Sequence, residues 1–280
     1  MKLLKRIKNW NVRLKLGIFL LAITLVLGFV LPLFYSKNPT EWGTYFKNLK
    51  PSAAHLLGTT TLGQDVFWLL AFSVRNSFII GFLVALVSTI IGVTVGMLAG
   101  FLGGTADRII QLVMDTFVVV PMLPILILMA SLMKGRTSVL AMAGILIIFN
   151  WPWPARQIRS LSVSLRERDF IDTAAFSGQS PFKIVIKEIL PFVIGWAFAN
   201  FVNCTLAAIT AESSLAIIGI ANNAQATLGT MIYWANQHQA MLAGHWWWIG
   251  PPIVAMSVIF IGLFLTLSGY QQYNTHVRGK

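Results

Sequence analysis

Long apolar runs separated by short polar breaks recur along this chain at a spacing set by a bilayer rather than by a soluble core. A hydrocarbon layer of about 30 Å takes roughly 20 apolar residues of helix. Six stretches meet that length: 17–35, 76–106, 109–133 (interrupted by Asp115), 137–155, 189–211 and 249–270. The pattern predicts an all-α, polytopic transmembrane helical bundle of about six spans. The first run follows a basic head, as a signal peptide does, but it is long and ends in LPLFYSKN without a small-residue cleavage site. It is expected to be a retained helix. The uncharged stretch 213–277 is too long for one span, and its amide-rich, aromatic middle suits a half-inserted or surface-lying external segment.

Composition turns this pattern into an exclusion. At 56% hydrophobic and 11% charged residues, with a mean hydropathy of +0.74, the chain lacks the polar surface of a soluble enzyme. A net charge of +12 would suggest nucleic acid in a soluble protein, but here the basic residues punctuate apolar runs and report topology instead. With the N-terminus inside and six crossings, fifteen of the 21 Lys and Arg fall in the inside segments 1–16, 103–108, 156–188 and 271–280. Lys37, Lys47, Lys50, Arg75, Lys134 and Arg136 fall outside. Both termini are therefore expected to be cytoplasmic. Cys204 alone excludes an internal disulfide, and His55, His238, His245 and His276 share no ligand spacing, so no metal or catalytic centre is expected.

The inside loop 156–188 is long for a helical hairpin and amphipathic, which marks it as a docking element. Its local chemistry predicts a helix running to about Phe176, stopped by Gly178 in a left-handed conformation, then Ser180 capping a second helix that begins at Pro181. That helix runs through Phe182, Ile184, Val185 and Ile189 to Pro191, where the chain enters the membrane. The result is an elbow across the inner face.

Here the sequence resembles a known family, the membrane subunits of ATP-binding cassette (ABC) importers, in their dipeptide and oligopeptide permease branch. The branch's Glu-Ala-Ala, three residues, Gly, then Leu-Pro pattern is matched by Asp172, Thr173, Ala174, Gly178, Leu190 and Pro191, with the first two positions substituted. A second patch, HLLGTTTLGQDVFWLLAFSVRNS, is similar to a His-x-x-Gly-Thr-Asp, Gly-Arg-Asp-Val and Ala-Arg-x-Ser-Leu run, with Thr60 and Gln64 in place of Asp and Arg. A third places Gly103, Gly104, Asp107, Asp115 and Pro121 on the branch's Gly-Gly, Asp and Asp-to-Pro pattern. Together they cover the chain from about residue 52 onward. A permease core over 51–280 then follows a segment, 1–50, that holds the basic tail, the first span and an external loop.

The resemblance implies an ABC importer type I-like permease fold, multi-pass in the cytoplasmic (inner) membrane, in which Asp172, Thr173, Ala174, Gly178, Pro181 and Pro191 form the elbow that docks on the ATPase. It further implies a related second permease subunit, two ATP-binding cassette ATPase subunits and an extracytoplasmic solute-binding protein as partners, with membrane lipid around them and no nucleic acid. The sequence contains no G-x-x-x-x-G-K-[ST] loop, its one Gly-Lys being Gly279-Lys280, so ATP and Mg are expected on the partner and no cofactor on this chain. Transport of oligopeptides or oligosaccharides is implied. The rival reading is a stand-alone secondary transporter or channel.

Two acids within apolar runs, Asp115 and Glu212, are gate or pathway candidates, because a charge at mid-bilayer costs about 2.5 to 3.5 kcal/mol. Asp115 is equally suited to pairing with a neighbouring helix. Glu212 opens ESSLAIIGI, which is similar to the branch's outer-gate run through Glu212, Leu215 and Gly219, and is also suited to capping the following short helix, the preferred reading. Arg156, Arg159, Arg166 and Arg168 are expected to set topology near headgroups in preference to contacting an ATPase. Trp151, Trp153 and Trp246 to Trp248 are expected at the membrane interface. Gly92, Gly96, Gly100 and Gly103 are expected to serve tight helix packing.

Overall fold

The computed structural model describes residues 11–132, 138–219 and 225–278; the basic head, Lys134, Arg136 and Gly279-Lys280 lie outside the described residues. The helices are α1 (Val12–Leu25, prolonged by a π turn Val26–Val30 and a 3-10 turn Leu31–Phe34), α2 (Val66–Leu102), α3 (Gly104–Val119), α4 (Met122–Leu132), α5 (Val139–Asn150), α6 (Pro152–Arg166), α7 (Asp169–Phe176), α8 (Pro181–Ile184), α9 (Leu190–Ile217), α10 (Leu228–Gln237) and α11 (Trp246–Arg278). A π turn, Val185–Ile189, joins α8 to α9. Among the described residues the extended structure amounts to one isolated bridge between Thr59 and Asp65.

Among the described residues five helical segments are long and apolar enough to cross a membrane, or six if the bent pair α3 and α4 is counted as one span. The spans differ from the sequence expectation in three places. The stretch taken as one span over 109–133 bends by 79° between α3 and α4. Pro121 is the cause: it cannot extend the helix, and it holds the preceding Val120 in an extended conformation at ψ 125°. The segment 156–188, expected as a loop, is helical from its start, because helix continues from α5 through α6 to Arg166 with only a break at Trp151. Finally, Pro191 lies inside one helical run, Pro181–Ile217. Proline has no N–H to offer the preceding turn, and the wider π turn at Val185–Ile189 absorbs the mismatch.

The chain divides into two compact units, residues 1–79 with 133–139 and 209–280, and residues 80–132 with 140–208. In the first, α1 lies along α11 with small residues at the crossing: a Cβ on Gly17 would sit 2.6 Å from the backbone nitrogen of Thr266, and one on Gly269 2.6 Å from that of Leu14. Residues 36–65 fold into a loop closed by His55, whose Nδ1 lies 2.7 Å from Asp65 Oδ2. The other Asp65 oxygen accepts from the Phe67 and Trp68 amides at 2.9 and 3.3 Å and so caps α2. Trp247 Nε1 donates to Thr59 O at 3.2 Å, which ties α11 to the same loop.

In the second unit the first turns and the middle of α6 lie against the last turns of α2. Gly92, Gly96 and Gly100 face Pro154, Ala155, Ile158, Arg159 and Ser162, and a Cβ on Gly96 would come within 2.5 Å of Ala155 O. The stripe serves packing, as its spacing predicts. A cluster of buried side chains, including Met97, Ile158, Leu165, Ile171, Ala174, Ile184 and Ile189, fills the space beneath α7 and α8.

Candidate functional site

The elbow is built from Arg168 to Ile189. Asp169 and Asp172 stand in the first turn of α7, where carboxylates favour the positive end of a helix. Its end is a complete Schellman motif: Gln179 N donates to Ala174 O at 3.2 Å, Gly178 N donates to Ala175 O at 3.0 Å, and Gly178 takes φ +77°. Ser180 then sits at φ −68°, ψ 151° before Pro181, the N-cap geometry expected, although its hydroxyl makes no capping bond. The capping there is done by backbone shape and by proline's preset φ.

The candidate docking residues divide between two faces. Ala174 is buried with Ile171 against the unit core, whereas Asp172, Thr173, Gly178, Pro181 and Pro191 are exposed. The exposed face carries one residue that sequence reasoning missed: Phe176 is 92% exposed, one helical turn from Asp172 and Thr173. Its signal was present in the amphipathic repeat, since Ile171 and Ala174 mark the inner face and leave Phe176 outside.

Three arginines near the elbow, Arg156, Arg159 and Arg166, find partners within the unit. Arg159 Nε and Nη2 donate to the two Asp107 oxygens at 2.5 and 2.6 Å, a bidentate pair joining α6 to α3. Arg166 Nη1 donates to Phe101 O at 3.3 Å, and Arg156 lies 3.7 Å from Asp115. Asp115 is thus a member of an exposed ion pair with the neighbouring helix. For Arg159 this replaces the headgroup role expected from sequence, because its fork finds a matching carboxylate inside the unit.

Glu212 and Gly219 belong to the first unit and are not near one another's chemistry. Glu212, only 1% exposed, lies within α9 and does not open a helix. Thr227 Oγ1 donates to it at 2.6 Å, and Ser213 Oγ at 3.4 Å. Thr227 is itself the N-cap of α10, forming a capping box with Thr230. The expected cap of a short helix opening at Glu212 is therefore not formed, because α9 runs on through it; the carboxylate instead bonds the hydroxyl that caps α10. Asn76 Nδ2 donates to Ala226 O at 2.7 Å and Leu228 N donates to Ser77 Oγ at 3.1 Å, so α2 grips the same segment. Asn76, Ser77 and Thr227 were missed as a set; the T-x-x-T spacing ahead of an apolar run was the available signal for Thr227. Gly219 takes φ +79° beside the Tyr233 ring, 2.8 Å from where a Cβ would stand.

The amide-rich segment expected outside the membrane contains α10, a helix of 10 residues whose Leu228, Met231, Ile232 and Ala235 are buried in its unit. Two tryptophans depart from the interfacial expectation: Trp247 and Trp248 are buried, the first bonded to Thr59 O and the second stacked on His238 at 5.7 Å. Trp153 and Trp246 are exposed, and Trp151 packs on Phe117 at 5.9 Å. Thr60 and Gln64, the two positions that depart from the resembled run, are buried and 3.4 Å apart through Thr60 Oγ1 and Gln64 Oε1.

Comparison with known proteins fits this architecture. Residues 92–276 match the family described as binding-protein-dependent transport system inner membrane component. The oligopeptide transport system permease protein of Lactococcus lactis subsp. cremoris is 31% identical over 251 residues, covering 88% of this chain and 85% of that protein. The dipeptide transport system permease protein of Bacillus subtilis is 29% identical over 91% of this chain and 76% of its own length. A probable peptide ABC transporter permease protein of Sinorhizobium fredii is 34% identical over 73% of this chain and 69% of its own length. Among solved structures, an inward-facing conformation of the MetNI methionine ABC transporter aligns with a TM-score of 0.55 at 18% identity, covering 72% of this chain and 96% of the other, a likeness of fold. On the family match and the extent of the relatives, this chain is a multi-pass inner membrane component of the binding-protein-dependent transport family.

Proposed function

We propose that this chain is the permease subunit of an ATP-driven, binding-protein-dependent importer of short oligomers, oligopeptides or oligosaccharides, with both termini cytoplasmic. In this reading the elbow at 168–189 docks on a separate ATPase. ATP and Mg bind that partner, and this subunit performs no hydrolysis. A related second permease completes the pathway, two ATPase subunits drive it, and an extracytoplasmic binding protein delivers the solute. The relatives' names favour peptides.

The observation that carries the reading is the elbow's two-faced build. Ile171 and Ala174 anchor it to a packed core while Asp172, Thr173 and the exposed Phe176 present one apolar knob flanked by polar groups. A knob of that kind suits a groove on a rigid partner. Closure of a partner ATPase dimer would then bias the permease between two access states. Asp115, Glu212 and Gly219 are retained as gate or pathway residues, with Glu212 acting through the position of α10.

The test is a pull-down of the co-expressed ATPase together with solute uptake. Phe176→Asp changes only an exposed side chain, and Gly178→Trp disrupts the φ +77° turn. Both substitutions are expected to reduce ATPase recovery and uptake together. Unchanged recovery in both variants would remove the docking assignment. Uptake that persists without any ATPase would favour the stand-alone transporter or channel.

A further inference from the structure

The first unit contains a cleft of about 270 Å³ beside the Glu212 network. The exposed Trp42 and the half-buried Trp234 meet edge to face at its rim, with ring centroids 5.5 Å apart. Gln64, Gln225 and Thr230 supply polar walls, and Ser73, whose hydroxyl has no hydrogen-bond partner among the described residues, lies fully buried behind them. Among the described residues no Asp, Glu, Lys or Arg lines it.

The walls are fixed before any ligand arrives. Gln64 Nε2 donates to Thr40 O at 2.9 Å and so holds the Trp42 side. Thr230 Oγ1 donates to Gln225 O at 2.7 Å, Asn76 holds Ala226 O, and Glu212 holds Thr227, which together fix the opposite side. A preformed cleft forfeits little ordering entropy on binding. Its volume lies below the range for whole drug-sized ligands, so it accommodates one ring-sized unit.

We propose that this cleft is a solute subsite for a single uncharged, hydroxylated ring, one pyranose unit of an oligosaccharide. The proposal rests on the importer reading and narrows its solute class. Indole rings offer apolar faces and edges to the C–H side of a sugar ring, while the Gln225 amide suits its hydroxyls.

The experiment uses the full importer, purified through a tag on this chain and held in lipid nanodiscs, with saturation-transfer NMR as the readout. The probes are cellotriose, maltotriose and xylotriose on one side, and tri-alanine and Ala-Phe-Ala on the other. At least one trisaccharide is expected to show transfer that falls roughly fivefold in Trp42→Ala, the size of effect expected when one ring contact is lost. Trp234→Phe keeps a ring at the more buried position and is expected to reduce the signal less. Transfer to a tripeptide that the same substitutions abolish, trisaccharide signals that neither substitution changes, or no trisaccharide signal at all would each overturn the subsite. Recovery of the ATPase in the same preparation tests the importer reading separately, since its absence would defeat that reading without altering what the NMR reports.

Discussion

The α2–α6 contact and the wall around Glu212 handle polar groups in a membrane protein in opposite ways. In the second unit, opposite charges neutralise each other, Asp107 against Arg159 in a bidentate pair, and glycines let two backbones touch. In the first, a carboxylate at 1% exposure is held by hydroxyls, and it in turn holds the cap of a short helix. The contrast shows how each region should respond to change. A glycine-packed strut has no soft degree of freedom, so it fails abruptly when overfilled. A hydroxyl network loses one modest bond at a time.

The largest effect is expected at the strut. Gly96→Leu would drive a side chain into Ala155 O and the Ile158 Cβ, 2.5 and 2.9 Å from its own Cβ. Backbone cannot yield as a side-chain tip can, so the expected cost is about 3 kcal/mol, the upper end for overpacking. Thermal melting of the detergent-solubilised protein checks it; a melting temperature like the parent's would mean that α2 and α6 are not held together this tightly.

Next comes the ion pair. Arg159→Ala leaves the Asp107 carboxylate, mostly buried at 15% exposure, without its fork, at an expected cost of about 3 kcal/mol. Replacing both partners with apolar residues is expected to cost less than replacing Arg159 alone, because no charge is then left unpaired. A double-mutant cycle on melting stability measures the coupling. Additive effects would show that the pair is incidental.

Much of the second unit was legible in the sequence and much of the first was not, for a physical reason. Gly178, Ser180 and Pro181 act within a few residues of themselves, so turn chemistry alone placed the elbow's hinge and the start of its second helix. The small-residue spacing of Gly92, Gly96 and Gly100 likewise announced a packed face. What escaped depended on contacts distant in sequence: Asn76 and Ser77 grip the 226–228 segment, and Trp247 bonds to Thr59 O. Composition placed Trp247 and Trp248 at the interface because tryptophan favours it, whereas both are buried, Trp247 against the Thr59 loop and Trp248 under the His238 ring. The bend at Pro121 was readable from proline's missing N–H, but an unbroken apolar run concealed it.

The smallest effects separate the members of the Glu212 network. Glu212→Gln retains an acceptor for the Thr227 hydroxyl and is expected to be nearly neutral for stability, while Glu212→Ala removes it at about 1 to 2 kcal/mol. Thr227→Val keeps the shape of the side chain and deletes the hydroxyl that caps α10, at about 1 kcal/mol. These two deletions strike opposite ends of one hydrogen bond, so the Glu212→Ala/Thr227→Val double variant should melt close to the worse single variant. If the two costs instead add in full, the 2.6 Å contact contributes nothing of its own. Glu212 would then stabilise the unit by some route other than the cap, and the opposition between a rigid strut and a stepwise network would lose its second term.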